Sequence, residues 1–169
     1  MTGSLSFVEA DLAKPGWSAA LGLDRPADAA VSTTALHWLH PDAPASLYAE
    51  LAQILRPGGV LLDGDHLRED EAAAPTLVRL GQALNEREEH RRAPHGHPED
   101  WRAWWTAAES DPALAALMAE REQRPPTSDH HGSPSGLLAT HVDALRAAGF
   151  AEIGTLWQRG DNRLLCAVR

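Results

Sequence analysis

The most informative segment for predicting the fold is Leu55-Arg-Pro-Gly-Gly-Val-Leu-Leu62. Its Arg-Pro-Gly-Gly segment ends a helix predicted over residues 41–55, in which leucines recur at helical spacing. Residues 60–62 then predict a short buried strand, and residues 28–36 predict another strand ahead of the helix. A strand, a helix, a Pro-Gly-Gly turn and a second strand together form the right-handed crossover unit of a parallel sheet.

The C-terminal part of the chain adds a helix and two further strands. The helix is predicted over residues 137–148 and is ended by Gly149. The strands are predicted over residues 150–158 and 162–168, with Arg159-Gly160-Asp161 between them. A short turn with glycine predicts an antiparallel β-hairpin, so the fold class is α/β.

A polar segment, residues 69–136, separates these two regions. Helices are predicted in it over residues 69–92, 99–109 and 111–124, with a turn at residues 93–98 and a loop at residues 124–136. The sequence therefore predicts one domain, residues 1–169, that carries a helical insertion.

Composition and charge exclude several classes of protein. The chain has 169 residues, 43% of them hydrophobic and 23% charged, as in one ordinary globular domain. Its 15 basic and 24 acidic residues give a net charge of −9, which argues against non-specific nucleic-acid binding. The single Cys166 excludes an intrachain disulfide framework. No apolar run approaches the roughly 20 residues that span a bilayer, and the N-terminal residues do not form a signal peptide, so a cytoplasmic protein is expected.

Four segments, taken together, resemble the class I S-adenosylmethionine-dependent methyltransferases. They are Phe7-Val-Glu-Ala-Asp-Leu12, Ala29-Ala-Val-Ser-Thr-Thr-Ala-Leu-His-Trp-Leu39, Leu55-Arg-Pro-Gly-Gly-Val-Leu-Leu62, and Leu145-Arg-Ala-Ala-Gly-Phe150 with the hairpin after it. The resemblance implies a Rossmann-like sheet, S-adenosylmethionine as cofactor, and methyl transfer to a small-molecule acceptor. The insertion, residues 69–136, falls where this family often builds acceptor specificity, which implies an acceptor-binding cap.

The N-terminus departs from the family pattern. The family holds its cofactor with a first strand and a glycine-rich turn, and no Gly-x-Gly turn precedes Phe7. Residues 5–10 predict a strand that matches the third strand of the family, so the first two strands are expected to be absent. The strand at residues 28–36 then becomes an exposed edge, which invites pairing with another chain. A mis-assigned start, a truncated fragment, and a degenerate domain completed by a partner, such as a second copy in a homodimer, all fit.

The resemblance assigns the cofactor-binding wall to residues that end two predicted strands. Asp11 would accept a hydrogen bond from the adenine amino group, with the Leu12 amide facing the ring; the alternative is an aspartate that only shapes a turn. Ser32 and Thr33 would lie under the methionine part of the cofactor; the alternative is hydroxyls that cap the next helix. His37 would contact cofactor or substrate, unless it packs as a structural imidazole.

Three further residues, Trp38, His66 and Trp104, are predicted to contact the substrate. Trp38 lies on the same rim as the cofactor wall. His66 follows Asp63 and Asp65 at the end of a strand, where a histidine near a carboxylate can act as a general base; solvated loop residues are the alternative. Trp104 shares a helix face with two other tryptophans, and that face either lines an acceptor pocket or packs against the sheet. No residue is assigned a catalytic role, because in-line positioning alone supports many methyl transfers.

No metal site is expected, although the insertion is rich in histidine. Neutral imidazoles are good zinc ligands, but these histidines form no His-x-x-x-His pair in a predicted helix and no cysteine joins them. They are interpreted as surface residues of the insertion. The histidines concerned are His90, His95, His97, His130 and His131.

Two functions remain open at this point. The first is S-adenosylmethionine-dependent methyl transfer to a small molecule, with neither nucleic acid nor membrane as a partner. The second is a non-catalytic, methyltransferase-like domain that uses its exposed sheet edge for dimerisation or partner binding. The missing glycine turn motivates both, so the sequence does not decide between them.

Overall fold

The computed structural model describes residues 4–40, 42–92, 101–123 and 136–169. In this part of the chain, four strands form one sheet and five α-helices surround or extend it. The strands are β1 (Ala27–Thr33), β2 (Leu55–His66), β3 (Glu152–Arg159) and β4 (Asn162–Val168). The helices are α1 (Ala43–Ile54), α2 (Pro75–Arg92), α3 (Trp101–Ser110), α4 (Ala115–Gln123) and α5 (Leu138–Ala147), and short 3-10 helices span Trp17–Leu21 and Leu36–Trp38.

The sheet has the order β1-β2-β4-β3 and is Rossmann-like. β1 and β2 are parallel and are joined through α1, whereas β4 is antiparallel to both of its neighbours. The α/β class, the crossover unit and the C-terminal hairpin predicted from the sequence are therefore confirmed. The predicted strand at residues 60–62 is the middle of a longer strand, because β2 extends to His66.

The Pro-Gly-Gly turn lies inside β2 and not before it. Ala27 of β1 pairs with Leu55, and Ala29 pairs with Val60, so the four residues between Leu55 and Val60 bulge out of the ladder. Gly58 has a φ of 72°, a conformation that favours glycine. The turn thus brings the chain from α1 directly into the sheet.

One face of the sheet is covered by α1 and α5. Side chains of these helices form the core with inward residues of the strands, among them Leu61 of β2 and Leu165 of β4. The opposite face is more open, and Val31 of β1 is 74% exposed there. Two buried carboxylates, Asp63 and Asp65, point from β2 to the covered face, which places unusual charge in the core.

The predicted strand at residues 5–10 is wrong. These residues form no regular secondary structure, and the side chains of Leu5 and Phe7 are 99% and 92% exposed. A strand needs a neighbour for its backbone hydrogen bonds, and the described part of the chain offers residues 5–10 none.

The insertion leaves and re-enters the sheet domain at adjacent points. The amide of Arg68 donates to the carbonyl of Gly136 (2.9 Å), and the amide of Leu138 donates to the carbonyl of Arg68 (2.9 Å). Helices α2, α3 and α4 correspond to the three helices predicted in it, although α2 begins at Pro75 and not at residue 69. The predicted turn at residues 93–98 and all but the last residue of the predicted loop at 124–136 lie outside the described residues.

The hairpin turn packs against the middle of α2. Gly160 has a φ of 61°, and a Cβ atom there would collide with Oδ1 of Asn85. The Asn85 amide nitrogen donates to Oδ1 of Asp161 (2.8 Å). Only glycine fits between this turn and the helix, so the turn sequence fixes where α2 packs.

Candidate functional site

A cavity of about 390 Å³ lies at the carboxyl end of the two parallel strands. Its described lining residues are Thr34, His37, Trp38 and His66. Thr34 follows β1, and His66 ends β2, so both strands deliver side chains to the same edge of the sheet. Open α/β sheets bind their ligands at this edge. Three residues predicted from the sequence, His37, Trp38 and His66, therefore share one cavity.

Thr34 turns the chain sharply at this edge. Its φ is 48°, which is uncommon for a β-branched residue and costs conformational energy. Its amide donates to the carbonyl of Gly64 (2.8 Å), and this bond holds the strained turn against β2. The turn starts the short helix that carries His37 and Trp38, so it sets where both rings lie.

His37 and Asp65 form a hydrogen-bonded pair. Nδ1 of His37 lies 2.6 Å from Oδ1 of Asp65, and the His37 amide donates to Oδ2 of the same carboxylate (3.1 Å). The Asp65 side chain is fully buried, whereas the imidazole is partly exposed to the cavity. When Nδ1–H donates this hydrogen bond to the carboxylate, Nε2 is the nitrogen that can accept a proton from a substrate.

His66 has its own carboxylate partner. Its Nδ1 lies 3.9 Å from Oδ1 of Asp161, a residue of the hairpin turn. Asp161 raises the pKa of His66 above its usual value, although partial burial acts in the opposite direction. In return, His66 and Asn85 lower the pKa of Asp161. The pair therefore favours the protonated form of His66 at the cavity wall.

The aromatic rings of the cavity lie close together. The ring centroids of His37 and His66 are 6.0 Å apart, with planes nearly perpendicular. The centroid of Trp38 lies 5.0 Å from that of His37. A small planar molecule could therefore contact both imidazoles and an indole at once.

Asp63 lies two residues before Asp65 on the same face of β2, and it is completely buried. Neither of its oxygens makes a hydrogen bond of normal geometry to a described residue, and Ser32 lies opposite it in the register of β1. Burial raises the pKa of Asp63 to about 7, the charge of Asp65 adds to the rise, and the Ser32 hydroxyl reduces it. Asp63 thus carries a proton over much of the acidic range.

A buried polar pair lies beneath the two carboxylates. The hydroxyl of Tyr48 in α1 lies 2.5 Å from Nδ1 of His141 in α5. Burial raises the pKa of Tyr48, and the charges of Asp63 and Asp65 add to this effect. The two helices that cover the sheet are therefore joined by a hydrogen bond directly below the site.

A second cavity, of about 350 Å³, follows the free edge of β1. Leu12 and Ser32 are among its mostly apolar lining residues. Asp11 lies in an exposed turn, where its carboxylate accepts a hydrogen bond from the Ala13 amide (3.0 Å) and pairs with Lys14 (3.4 Å). Thr33 is exposed on the open face of the sheet. Of the predicted cofactor residues, Leu12 and Ser32 line this cavity, Asp11 and Thr33 are outside its described lining, and His37 lines the first cavity.

Trp104 lies apart from the described lining of either cavity. It is 47% exposed in α3, and its ring contacts Trp105 at a centroid distance of 4.9 Å. The guanidinium of Arg121 in α4 stacks on Trp105 at 4.0 Å. These contacts join α3 to α4, and the substrate role of Trp104 stays a prediction.

Two members of the site were not predicted. The sequence suggested a histidine near a carboxylate at residues 63–66, but Asp65 pairs with His37, which lies 28 residues earlier. Asp161 pairs with His66 across most of the chain, and no local pattern could have indicated it. The positive φ of Thr34 was also unexpected, because threonine carries no signal for that conformation.

Comparisons with known proteins agree with this architecture. Residues 5–62, about a third of the chain, match the family model described as a methyltransferase domain. The resemblance to methyltransferases is thereby confirmed. A comparison with curated proteins finds no match.

One solved structure shares the fold, and a second is similar at a lower score. An O-methyltransferase family protein from Burkholderia thailandensis superposes with a TM-score of 0.51 at 18% identity, over 97% of this chain and 35% of that one. The apo form of the S-adenosylmethionine-dependent methyltransferase SibL is similar with a TM-score of 0.48 at 15% identity, over 95% of this chain and 34% of that one. The chain thus spans about a third of the length of these proteins.

The described residues contain neither a candidate metal centre nor a helix that could span a membrane. No three His, Cys, Asp or Glu side chains are grouped there so that they could hold a metal ion. His95, His97, His130 and His131 lie outside the described residues. Within the same part of the chain, none of the helices combines the length and the apolar character needed to cross a bilayer.

Proposed function

We propose that the chain carries the acceptor-activating edge of an S-adenosylmethionine-dependent methyltransferase that methylates a hydroxyl oxygen of a small molecule. The observation that carries the proposal is the His37–Asp65 pair at the cavity on the carboxyl edge of the sheet. A hydroxyl is a poor nucleophile until it loses its proton, and a histidine held by a carboxylate is a suitable base. This favours oxygen over carbon as the methylated atom.

The size and charge of the site support a small-molecule acceptor. A cavity of about 390 Å³ is within the range of pockets that bind small molecules. The chain carries a net charge of −9, which opposes binding to the phosphates of nucleic acids. The rings of His37, Trp38 and His66 supply flat surfaces for an aromatic acceptor.

The residues beside the cavity fit one end of the methyl donor. Ser32 lines the apolar cavity along β1, Thr34 lines the acceptor cavity, and only Thr33 separates them in the chain. The buried hydroxyl of Ser32 makes no hydrogen bond of normal geometry to a described residue, so it is suited to a polar atom of a ligand. Leu12 supplies apolar contact in the same cavity, with Asp11 next to it in the chain.

The methyl donor and the chain supply different parts of the proposed reaction. S-adenosylmethionine, when bound, supplies a methyl group on a sulfonium, which needs no acid to leave. His37 accepts the hydroxyl proton of the acceptor at Nε2. The Asp65 carboxylate stabilises the imidazolium that forms, and the strained turn at Thr34 keeps the imidazole in place.

The insertion is proposed to act as a cap over the acceptor. Its ends are joined by the hydrogen bonds of Arg68, and its helix α2 packs on the hairpin turn that carries Asp161. A further cavity of about 470 Å³ lies between α2 and the hairpin, and Asp161 is one of its lining residues. Because Asp161 contacts His66, this cavity adjoins the proposed acceptor site.

The test is a pair of measurements on wild type and His37→Gln. Calorimetric titration with S-adenosylhomocysteine is expected to give a dissociation constant of micromolar order, about −8 kcal/mol, for both proteins. Methyl transfer to a panel of phenols is expected in wild type, and at a rate lower by about 10²–10⁴-fold in the variant. His90→Gln, on the exposed surface of α2, serves as the matched control and is expected to behave as wild type.

Absence of S-adenosylhomocysteine binding by folded wild-type protein would contradict the proposal. Equal transfer rates for wild type and His37→Gln would leave methyl transfer intact but remove the role of His37 as the base. Urea unfolding of each protein, measured alongside, separates either result from loss of structure.

A second candidate function is pairing with another chain through β1. Val31 is 74% exposed on this strand, and in the described residues β1 has a strand neighbour only on its β2 side. An exposed apolar edge promotes association. Under this function, sedimentation detects a dimer that Val31→Lys dissociates, and neither protein binds S-adenosylhomocysteine. Monomeric wild-type protein would remove this candidate.

A further inference from the structure

His66 lines the cavity, and its carboxylate partner comes from the C-terminal hairpin of the chain. Its Nδ1 faces Asp161, while the ring lies at the cavity wall at a centroid distance of 6.0 Å from His37. The described lining of this cavity includes His66 but not Asp161. A molecule in the cavity therefore contacts His66, while Asp161 supports the imidazole from its Nδ1 side.

Two hydrogen bonds hold Asp161 of this pair in place. The amide of Leu67 donates to the backbone carbonyl of Asp161 (2.8 Å), which ties the end of β2 to the hairpin turn. The Asn85 amide nitrogen donates to Oδ1 of Asp161 (2.8 Å). The proposed base, His37, needs none of these contacts, because Asp65 already orients it. The arrangement around His66 therefore serves a separate purpose.

We infer that His66 binds a carboxylate of the acceptor next to the hydroxyl that His37 deprotonates, so that the acceptors are aromatic hydroxy acids. The inference rests on the proposed function and names its substrate class. The ring centroids of the two imidazoles lie 6.0 Å apart at one cavity, so two oxygens of one small molecule can each face an imidazole. The indole of Trp38, beside His37, provides an aromatic surface for that ring.

The charges around His66 support binding of an anion. Asp161 from the hairpin and Asp65 from β2 both raise the pKa of His66, and partial burial lowers it. The other ring that faces it, His37, is already paired with Asp65, and Asn85 of α2 is neutral. The imidazolium is therefore the cation of the cavity, and a carboxylate is the group that gains most from it.

The test compares 2-hydroxybenzoate with 2-hydroxybenzamide, which has the same ring and hydroxyl but no charge. Calorimetric titrations at pH 6 and pH 8.5, without methyl donor, are expected to favour the benzoate at pH 6 by about tenfold, as for a hydrogen bond to a charged group. The preference is expected to be smaller at pH 8.5 than at pH 6, because a rise in pH favours the neutral imidazole, which has no charge to attract the benzoate.

Three variants locate the preference. His66→Gln is expected to bind both compounds equally, and His66→Arg, which keeps a cation, to retain the preference at both pH values. Asp161→Asn lowers the pKa of His66, so its preference is expected to disappear at a lower pH than in wild type. Binding of 2-hydroxybenzamide by every variant shows that the cavity is intact.

Two outcomes would overturn the inference: equal affinity of wild type for the two compounds, or an unchanged preference in His66→Gln. Both are read without methyl transfer, so they are distinct from failure of the proposed function. A wild-type protein that prefers the benzoate but transfers no methyl group would support the anion site and contradict the reaction.

Discussion

The buried carboxyl of Asp63 makes the stability of the fold depend on pH in a defined direction. Its pKa is raised from 3.8 to about 7 because it is buried beside Asp65. The folded protein therefore holds a proton that the unfolded chain releases above pH 3.8. Because the folded state binds more protons in this range, the free energy of unfolding falls as pH rises from about 4 to 7 and then levels off.

The size of the effect follows from the shift. About three pKa units at 1.36 kcal/mol each give a total loss of about 4 kcal/mol, of which about 3 kcal/mol falls between pH 5 and pH 8. Asp63→Asn keeps the shape of the side chain and removes the ionisation. The variant is therefore expected to gain about 3 kcal/mol on wild type between these pH values.

Urea unfolding at pH 5 and pH 8 measures this difference. With an m-value of about 2 kcal/mol per M, the midpoint of the variant relative to wild type is expected to rise by about 1.5 M. Asp24→Asn, which makes the same change of charge at an exposed position, is expected to show no such pH dependence. If the difference in the free energy of unfolding between Asp63→Asn and wild type stays constant from pH 5 to pH 8, the pKa of Asp63 is not raised in the folded protein.

Three other substitutions test the elements around the site. Asp65→Asn is expected to leave the fold intact but to slow methyl transfer by at least about 10²-fold, since His37 loses the group that stabilises its imidazolium; single-turnover rates measure this. Gly160→Ala is expected to lower the free energy of unfolding by about 2–3 kcal/mol, because φ is 61° and the added methyl group displaces Asn85. Urea unfolding measures this loss, which is expected to be smaller when the substitution is made in an Asn85→Ala background. Tyr48→Phe removes a buried hydrogen bond and is expected to cost about 1–2 kcal/mol by the same measurement, with unchanged binding of S-adenosylhomocysteine.

Local patterns predicted those parts of the fold whose structure depends on nearby residues. The helix α1, the buried core of β2 and the hairpin turn at Gly160 follow from apolar spacing and from glycine conformations, all of which act within a few residues. Residues 5–10 have the apolar pattern of a strand, but a strand also depends on a neighbour, and the pattern carries no information about that.

The sequence indicated which residues lie near the edge of the sheet, but not which side chains pair there. The rule that ligands bind at the carboxyl edge of parallel strands pointed to His37, Trp38 and His66; these residues line one cavity, and their binding roles stay predictions. The partners of the two histidines, Asp65 and Asp161, depend on how β1 packs beside β2 and how the hairpin returns to the end of β2. Such pairings are tertiary, so a single sequence gave no sign of them.

The two buried aspartates of β2 show how one strand supplies opposite chemistries two residues apart. Asp65 receives hydrogen bonds from the ring and the amide of His37 and from the amide of His66. Asp63 receives no comparable set, and its pKa rises to about 7. Below that pH a neutral Asp63 spares the core a second charge, which leaves the charge of Asp65 for His37. Environments that separate neighbouring acids in this way are typical of catalytic sites. The strand therefore supports the proposed base with one carboxyl and limits the electrostatic cost with the other.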